Sequence, residues 1–353
     1  METEIWNFIK IWGIAIASAC YSYSLSRTFH IQTGILRLFF ILPVIYLFTV
    51  LPLSLSSFHL GGPTIFYLVW LANFKLLLYS FNLGPLSSNP NTSLSHFIAI
   101  ALLPIKVNAG STPTKKRDPL GSLPLFVVKL LAFALVVKVY EFRQDLPKSL
   151  LLLNYCCHLY LGVEVTLGIT AALVRASLGL GLDPQFDEPY LATSLQDFWG
   201  RRWNLMVSDI LRLSVYDPIR RVVSPLVGKR CGLVGGIVMS FTVSGLMHEV
   251  IFYYFTRVRP TWEVTWFFVL HGVCTAVEVV VKKMVVSRFQ LHRLISGPLT
   301  IGFIGVTAWW LFLPQILRNG FDVKVINEYP VMVNFVKENV LYFFILLDKL
   351  LVA

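Results

Sequence analysis

An imidazole stands where the chain is otherwise built for hydrocarbon. Within the apolar stretch 233–256 the run Ser244-Gly245-Leu246-Met247-His248-Glu249 places a histidine and a carboxyl side by side. Ionisable groups at membrane depth are expensive, and they face a bundle interior or a cavity when they occur. On a helix Ser244 and His248 share one face, a single turn apart. Gly245 leaves room for a substrate or a second backbone, and a neutral imidazole can accept a proton near physiological pH. An interhelical hydrogen bond would account for the same residue. Glu249, one step round the helix, reads as a structural salt bridge. His271, with Glu278 two turns on, reads as interhelical glue within reach of the same cavity.

A second constellation lies upstream, in Phe198-Trp199-Gly200-Arg201-Arg202-Trp203-Asn204. The forked guanidiniums of Arg201 and Arg202 suit phosphate, and Trp199 and Trp203 offer indole faces for them to stack on. Asn204 supplies a donor and an acceptor in one rigid amide. An interfacial belt, with Trp and Arg at headgroup level, explains the same spacing. His158 follows Cys156 and Cys157, but neighbouring side chains diverge around a helix and no third ligand is placed, so no metal is expected. The five cysteines show no CxxC spacing. The chain lacks a GxSxG elbow, a P-loop and HExxH, which removes the usual handles of serine hydrolases, nucleotide-driven pumps and zincins. None of the seven histidines has an aspartate five positions on, so the His-x4-Asp pair of soluble-type acyltransferases is missing.

The elements that must position these residues are membrane helices. Of 353 residues, 56% are apolar and only 14% charged, with a mean hydropathy of +0.69; a soluble domain carries about a quarter of its residues as charge. Spanning helices of about 20 residues would divide this length into one all-α, polytopic bundle of about eight to ten transmembrane helices, a single domain over 1–353. The net charge of +11 is thin and sits beside apolar stretches. That is the signature of the positive-inside rule and anionic lipid, so the bilayer and not nucleic acid is the expected partner. Candidate spans fall near 11–23, 35–56, 60–82, 93–106, 123–141, 148–173, 233–256, 262–281, 297–317 and 331–352. The first lacks the basic flank of a cleaved signal peptide. Lys75, Lys129 and Lys138 interrupt three others, either snorkelling to an interface or facing a wet cavity. The span near 93–106 is short for a crossing.

Two segments break the apolar pattern. The stretch 107–121 packs Lys115, Lys116 and Arg117 between prolines and reads as a cytosolic loop. The segment 183–230 holds 6 acids and 7 bases in 48 residues. Flanked by apolar spans, it has to lie at a membrane face or fold into a protein-lined cavity, because bare backbone and charge find no partners in hydrocarbon.

Phe198 to Asn204 followed by Ser244 to Glu249 resembles the membrane-bound O-acyltransferase superfamily, whose members carry an aromatic motif ending in Trp-Asn and a later intramembrane histidine. Pro184-Gln185-Phe186-Asp187-Glu188-Pro189-Tyr190 leading into that motif is similar to the plant wax synthases. So are Trp70-Leu71-Ala72-Asn73-Phe74-Lys75, Gly84-Pro85-Leu86-Ser87 and the run from Trp262 to Gly272. The resemblance implies a helical fold with an internal acyl tunnel, His248 as catalytic base and Asn204 as its partner. It implies transfer of a fatty acyl group from acyl-CoA, a co-substrate with no further cofactor, to a long-chain alcohol in the endoplasmic reticulum membrane. CoA would enter from the cytosolic side, with Arg201 and Arg202 the expected phosphate ligands. Close relatives in this group that look alike at these motifs use sterols or diacylglycerol, so the acceptor stays open. A transporter relaying protons through buried His and Glu is the rival of a different class; it should show inverted repeats, and none is visible.

Overall fold

The computed structural model describes residues 1–88, 91–107, 119–284 and 291–352, the side chains of 119–122 and 340–352 excepted. Among these residues the regular structure is helical, with one isolated bridge between Val107 and Leu182. In hydrocarbon the backbone must satisfy its own polar groups, and the α-helix does so within one segment. The chain forms α1 (Glu2–Arg27), α2 (Ile35–Ser54), α3 (Phe58–Ser80), the short α4 (Leu94–Leu102), α5 (Pro119–Val139), α6 (Lys148–Leu178), α7 (Leu205–Leu211), α8 (Asp217–Val227), α9 (Lys229–Thr256), α10 (Glu263–Met284), α11 (Arg293–Arg318) and α12 (Phe321–Val352). Eight helical segments are long and apolar enough to cross a bilayer: α1, α2, α3, Leu123–Phe142, α6, α9, α10 and α11.

The expected span 93–106 is instead the nine-residue α4, and the reason lies in Lys75. Its side chain is fully buried, and Nζ donates to the carbonyls of Ile100 (2.8 Å) and Leu103 (2.6 Å). Those are terminal acceptors of α4, where the helix dipole presents negative charge, so the cation sets the end of a helix that Pro104 prevents from continuing. Lys129 also turns inward, pairing with Glu164 (2.5 Å) and Glu188 (3.1 Å), whereas Lys138 stays exposed beside Glu141. The expected span 331–352 lies within α12. Most of the basic stretch 107–121 falls outside the described residues.

The helices around the site are joined at close quarters. A Cβ on Gly245 of α9 would lie 2.8 Å from the Cα of Thr265, and one on Gly272 of α10 would lie 2.7 Å from Phe241, so α9 and α10 run antiparallel with backbones nearly touching. Small residues at such a crossing are how membrane helices gain packing without a hydrophobic drive. Glu249 corrects the expected salt bridge: its buried carboxylate accepts from the Thr265 N–H (3.2 Å) and the Gln315 amide (3.2 Å). It caps the first turn of α10, where backbone donors need an acceptor.

Candidate active site

The polar segment is folded against the bundle by its own charges. Ser194 caps the short turn Leu195–Asp197, and Glu278 of α10 accepts from the N–H groups of Leu195 (2.9 Å) and Gln196 (3.4 Å). Glu278 also pairs with Lys282, whose ammonium reaches Ser194 Oγ (3.1 Å). Arg202 clasps the motif from within: it pairs with Asp197 (2.7 Å) and donates to the carbonyls of Asp187 (3.0 Å) and Glu188 (3.4 Å). Arg201 is exposed. Neither arginine lines the large cavity of the molecule, whereas Trp199, Trp203, Asn204 and His248 all do.

That cavity, a chamber of about 1520 Å³, follows one face of α9. Leu233, Ile237, Ser244, His248, Ile251 and Phe255 line it, the three-to-four-residue spacing of a single helical stripe. From Leu233 to Phe255 the helix rises about 33 Å, comparable to the roughly 30 Å hydrocarbon core. Four π-helical turns, Phe66–Ala72, Phe198–Arg202, Arg212–Tyr216 and Ala308–Phe312, all contribute lining residues. Such turns widen a helix locally and re-aim its side chains, and they concentrate at functional sites.

His248 lies well inside this stripe. Its Nδ1 is 2.7 Å from the carbonyl oxygen of Ser244. A carbonyl can only accept, so Nδ1 carries the proton and Nε2 the lone pair. Phe268 stacks on the ring at 4.3 Å, and Trp70 (5.1 Å) and Phe312 (5.9 Å) meet it edge-on. The ring is therefore fixed in tautomer and orientation, with Nε2 given no hydrogen-bond partner among the described residues.

Asn204 adopts a left-handed backbone, φ +40°, at the start of α7, a conformation Asn tolerates better than most residues. Its Oδ1 accepts from the Val207 N–H (3.4 Å), which leaves the amide NH2 as the group available to the chamber. No hydrogen bond joins Asn204 to His248 among the described residues; the Ser244 carbonyl, not Asn204, holds the ring. The two tryptophans are held differently. Trp199 Nε1 donates to His271 Nδ1 (3.1 Å), and Trp203 stacks on Phe198 at 5.4 Å. His271 is fully buried, and its Nε2 meets Thr307 Oγ1 at 2.8 Å, so it is glue behind the chamber wall.

Sequence reasoning missed the cations of the chamber. Arg212, Arg220 and Lys283 line it near the Leu233 end: Tyr216 packs on Gly236, and Lys283 ends the antiparallel α10. The signal was present, since Arg212, Tyr216 and Arg220 recur every four residues on one helical face, but Arg201 and Arg202 drew attention through their tryptophan neighbours. The aromatic box round His248 was also missed, because Trp70, Phe268 and Phe312 come from three distant segments.

Comparison with known proteins follows the same residues. Residues 182–270 match the Membrane bound O-acyl transferase family, a range that contains both motifs. The chain is 56% identical over 347 residues to the long-chain-alcohol O-fatty-acyltransferase of Simmondsia chinensis, covering 97% of this chain and 98% of that one. It is 46% identical to a probable long-chain-alcohol O-fatty-acyltransferase 3 of Arabidopsis thaliana, over 97% and 98% of the two chains. It is also 44% identical to acyl-CoA–sterol O-acyltransferase 1 of the same plant, over 94% and 96%. A multi-pass membrane bundle whose large cavity is lined by His248 and Asn204, matched over most of its length by such relatives, is an O-acyltransferase, and the chain belongs to the membrane bound O-acyl transferase family.

Proposed function

We propose that the protein transfers a fatty acyl group from acyl-CoA to the hydroxyl of a long-chain alcohol, with His248 as general base, in the endoplasmic reticulum membrane. The observation that carries this reading is the His248 ring, its Nδ1 tied back to Ser244 and its Nε2 open to an apolar chamber about as long as the bilayer is thick. The alcohol O–H gives its proton to Nε2 as its oxygen attacks the thioester carbonyl. The Asn204 amide donates to the oxygen on which negative charge develops, a contribution of about 3–4 kcal/mol in comparable sites. Collapse breaks the C–S bond, and the Nε2 proton passes to the departing sulfur, giving ester and free CoA. No acyl-enzyme is needed. The walls of Phe268, Trp70 and Phe312 keep bulk water from competing for the thioester.

Arg212, Arg220 and Lys283 are the cations placed to hold the CoA phosphates, since they face the chamber, while Arg202 is committed to Asp197 and two carbonyls. His248→Ala, assayed in microsomes with labelled acyl-CoA and fatty alcohol, should lower turnover by about 10² or more while the protein still accumulates. Retention of more than about a tenth of activity contradicts a base of that typical strength. An acceptor panel run alongside, with fatty alcohols, a sterol and diacylglycerol, tests the acceptor itself: turnover highest on the sterol would transfer the reading to the chemistry of the second Arabidopsis relative.

A further inference from the structure

Beyond His248 the chamber runs on to a second polar cluster that the transfer reaction does not use. His59, Tyr140, His158 and Tyr329 line it there, among Phe58, Phe255 and Phe321, whose rings pack at 4.9–5.2 Å. We infer that this end of the chamber is a subsite for a hydroxyl group at the far end of a long aliphatic chain whose other end is at His248. The inference rests on the acyl-transfer reading and adds a preference to it.

The argument is a proton count. Glu328 of α12 accepts from the N–H groups of Phe58 (2.8 Å) and His59 (3.1 Å), from Ser57 Oγ (3.0 Å) and from His59 Nδ1 (2.9 Å). A carboxylate surrounded by donors has no proton to give, so Nδ1 of His59 carries the hydrogen and Nε2 the lone pair. That Nε2 is buried and has no protein partner. His158 stands between two phenols, with Nδ1 2.8 Å from Tyr140 Oη and Nε2 2.7 Å from Tyr329 Oη. A neutral imidazole has one N–H and one lone pair. One phenol gives its proton to the ring and the other accepts the ring N–H, whichever tautomer is present. In either case one phenolic O–H of the pair is left uncommitted, and both phenols line the chamber.

The rings of His59 and Tyr329 lie 4.5 Å apart. With the uncommitted phenol of the His158 pair, His59 Nε2 makes up one donor and one acceptor, which is the complement of a single hydroxyl. His59 and Trp70 belong to the same helix, eleven residues or about 16 Å apart along its axis, and Trp70 touches His248. A hydroxyl in this subsite therefore cannot be the reacting one. It belongs to a second, distal position on the chain, carried either by the acceptor, as an α,ω-diol, or by the donor, as an ω-hydroxyacyl-CoA.

Microsomes bearing the full chain would be given 1-alkanols and α,ω-diols of matched length with one acyl-CoA. In a second arm they would be given plain and ω-hydroxylated acyl-CoAs of matched length with one alcohol. In one of the two arms, kcat/KM for the hydroxylated substrate should exceed that for its plain counterpart by about fivefold at the best length, the size of one net hydrogen bond. With both phenols removed, in Tyr140→Phe/Tyr329→Phe, the same ratio should fall to near one. The ratio is taken within each variant, so a general loss of folded enzyme cancels. A ratio at or below one at every length in both arms overturns the subsite, and so does a preference that survives in the double variant. Absence of turnover on the plain alcohol in the unaltered protein overturns the acyl-transfer reading and the subsite with it.

Discussion

His248 and His271 sit on antiparallel neighbours, α9 and α10, each an imidazole within an apolar helix, yet their hydrogen bonds separate them. His271 has both nitrogens engaged, by Trp199 and Thr307, and is fully buried. His248 has one nitrogen engaged, by the carbonyl one turn back, and its other nitrogen has no hydrogen-bond partner among the described residues. At membrane depth a polar group left unpaired is costly. Of the two histidines, the one with completed bonds has the setting of a structural residue, and the one with an open nitrogen has what the proposed base requires.

The comparison breaks most sharply under alanine. His248→Ala should cost about 10²–10⁴ in turnover with little change in thermal unfolding of the detergent-solubilised protein. His271→Ala should do the reverse, because it orphans the Trp199 N–H and opens a cavity in a packed layer. A destabilisation of about 1–3 kcal/mol is expected from the unpaired donor alone, read as a lower unfolding temperature. If His271→Ala leaves stability untouched and abolishes turnover, the division of roles is wrong.

Asn204 sharpens the same contrast one step down. Asn204→Gly keeps the left-handed backbone, which glycine enters freely, but removes the amide that faces the chamber. Turnover should fall by about 10²–10³, the range for loss of one oxyanion donor, at nearly unchanged KM for acyl-CoA. Unchanged turnover removes Asn204 from the chemistry and leaves it as the cap of α7. At the cationic end of the chamber, Arg220→Ala should raise KM for acyl-CoA by about tenfold, the worth of one charge-assisted contact of some 1.5 kcal/mol, and leave KM for the alcohol alone. Arg202→Ala should instead act on stability, through the lost clasp on Asp197.

The helical membrane fold was legible because lipid imposes one rule on every residue, and apolar runs of spanning length obey it. The stretch near 93–106 read as short for a crossing, and Pro104 within it marks where the helix stops; that Lys75 of another helix binds its end was not legible. His248 and Asn204 stood out as polar residues in conspicuous settings. The aromatic box around His248 could not be read, since Trp70, Phe268 and Phe312 are ordinary core residues until packing assembles them. Arg201 and Arg202 were natural expectations for a phosphate site, yet π-helical turns and the carboxylate of Asp197 decide which arginines face the chamber, and neither shows in local composition.

The smallest effect is expected next door to the proposed base. Glu249 is adjacent to His248 in sequence but points away from the chamber, to the Thr265 N–H and the Gln315 amide. Glu249→Gln keeps the shape and one acceptor oxygen while placing an NH2 where one of the two donors now binds. One hydrogen bond is lost, about 1 kcal/mol; the close contact of α9 and α10 at Gly245 is retained, so the His248 ring keeps its place. Turnover within about threefold of the unaltered protein is the expected outcome, with a small drop in unfolding temperature in proportion to that energy. A loss approaching that of His248→Ala would mean the carboxylate is coupled to proton transfer after all, and the line drawn here between a reactive residue and its structural neighbour would have to move one position along α9.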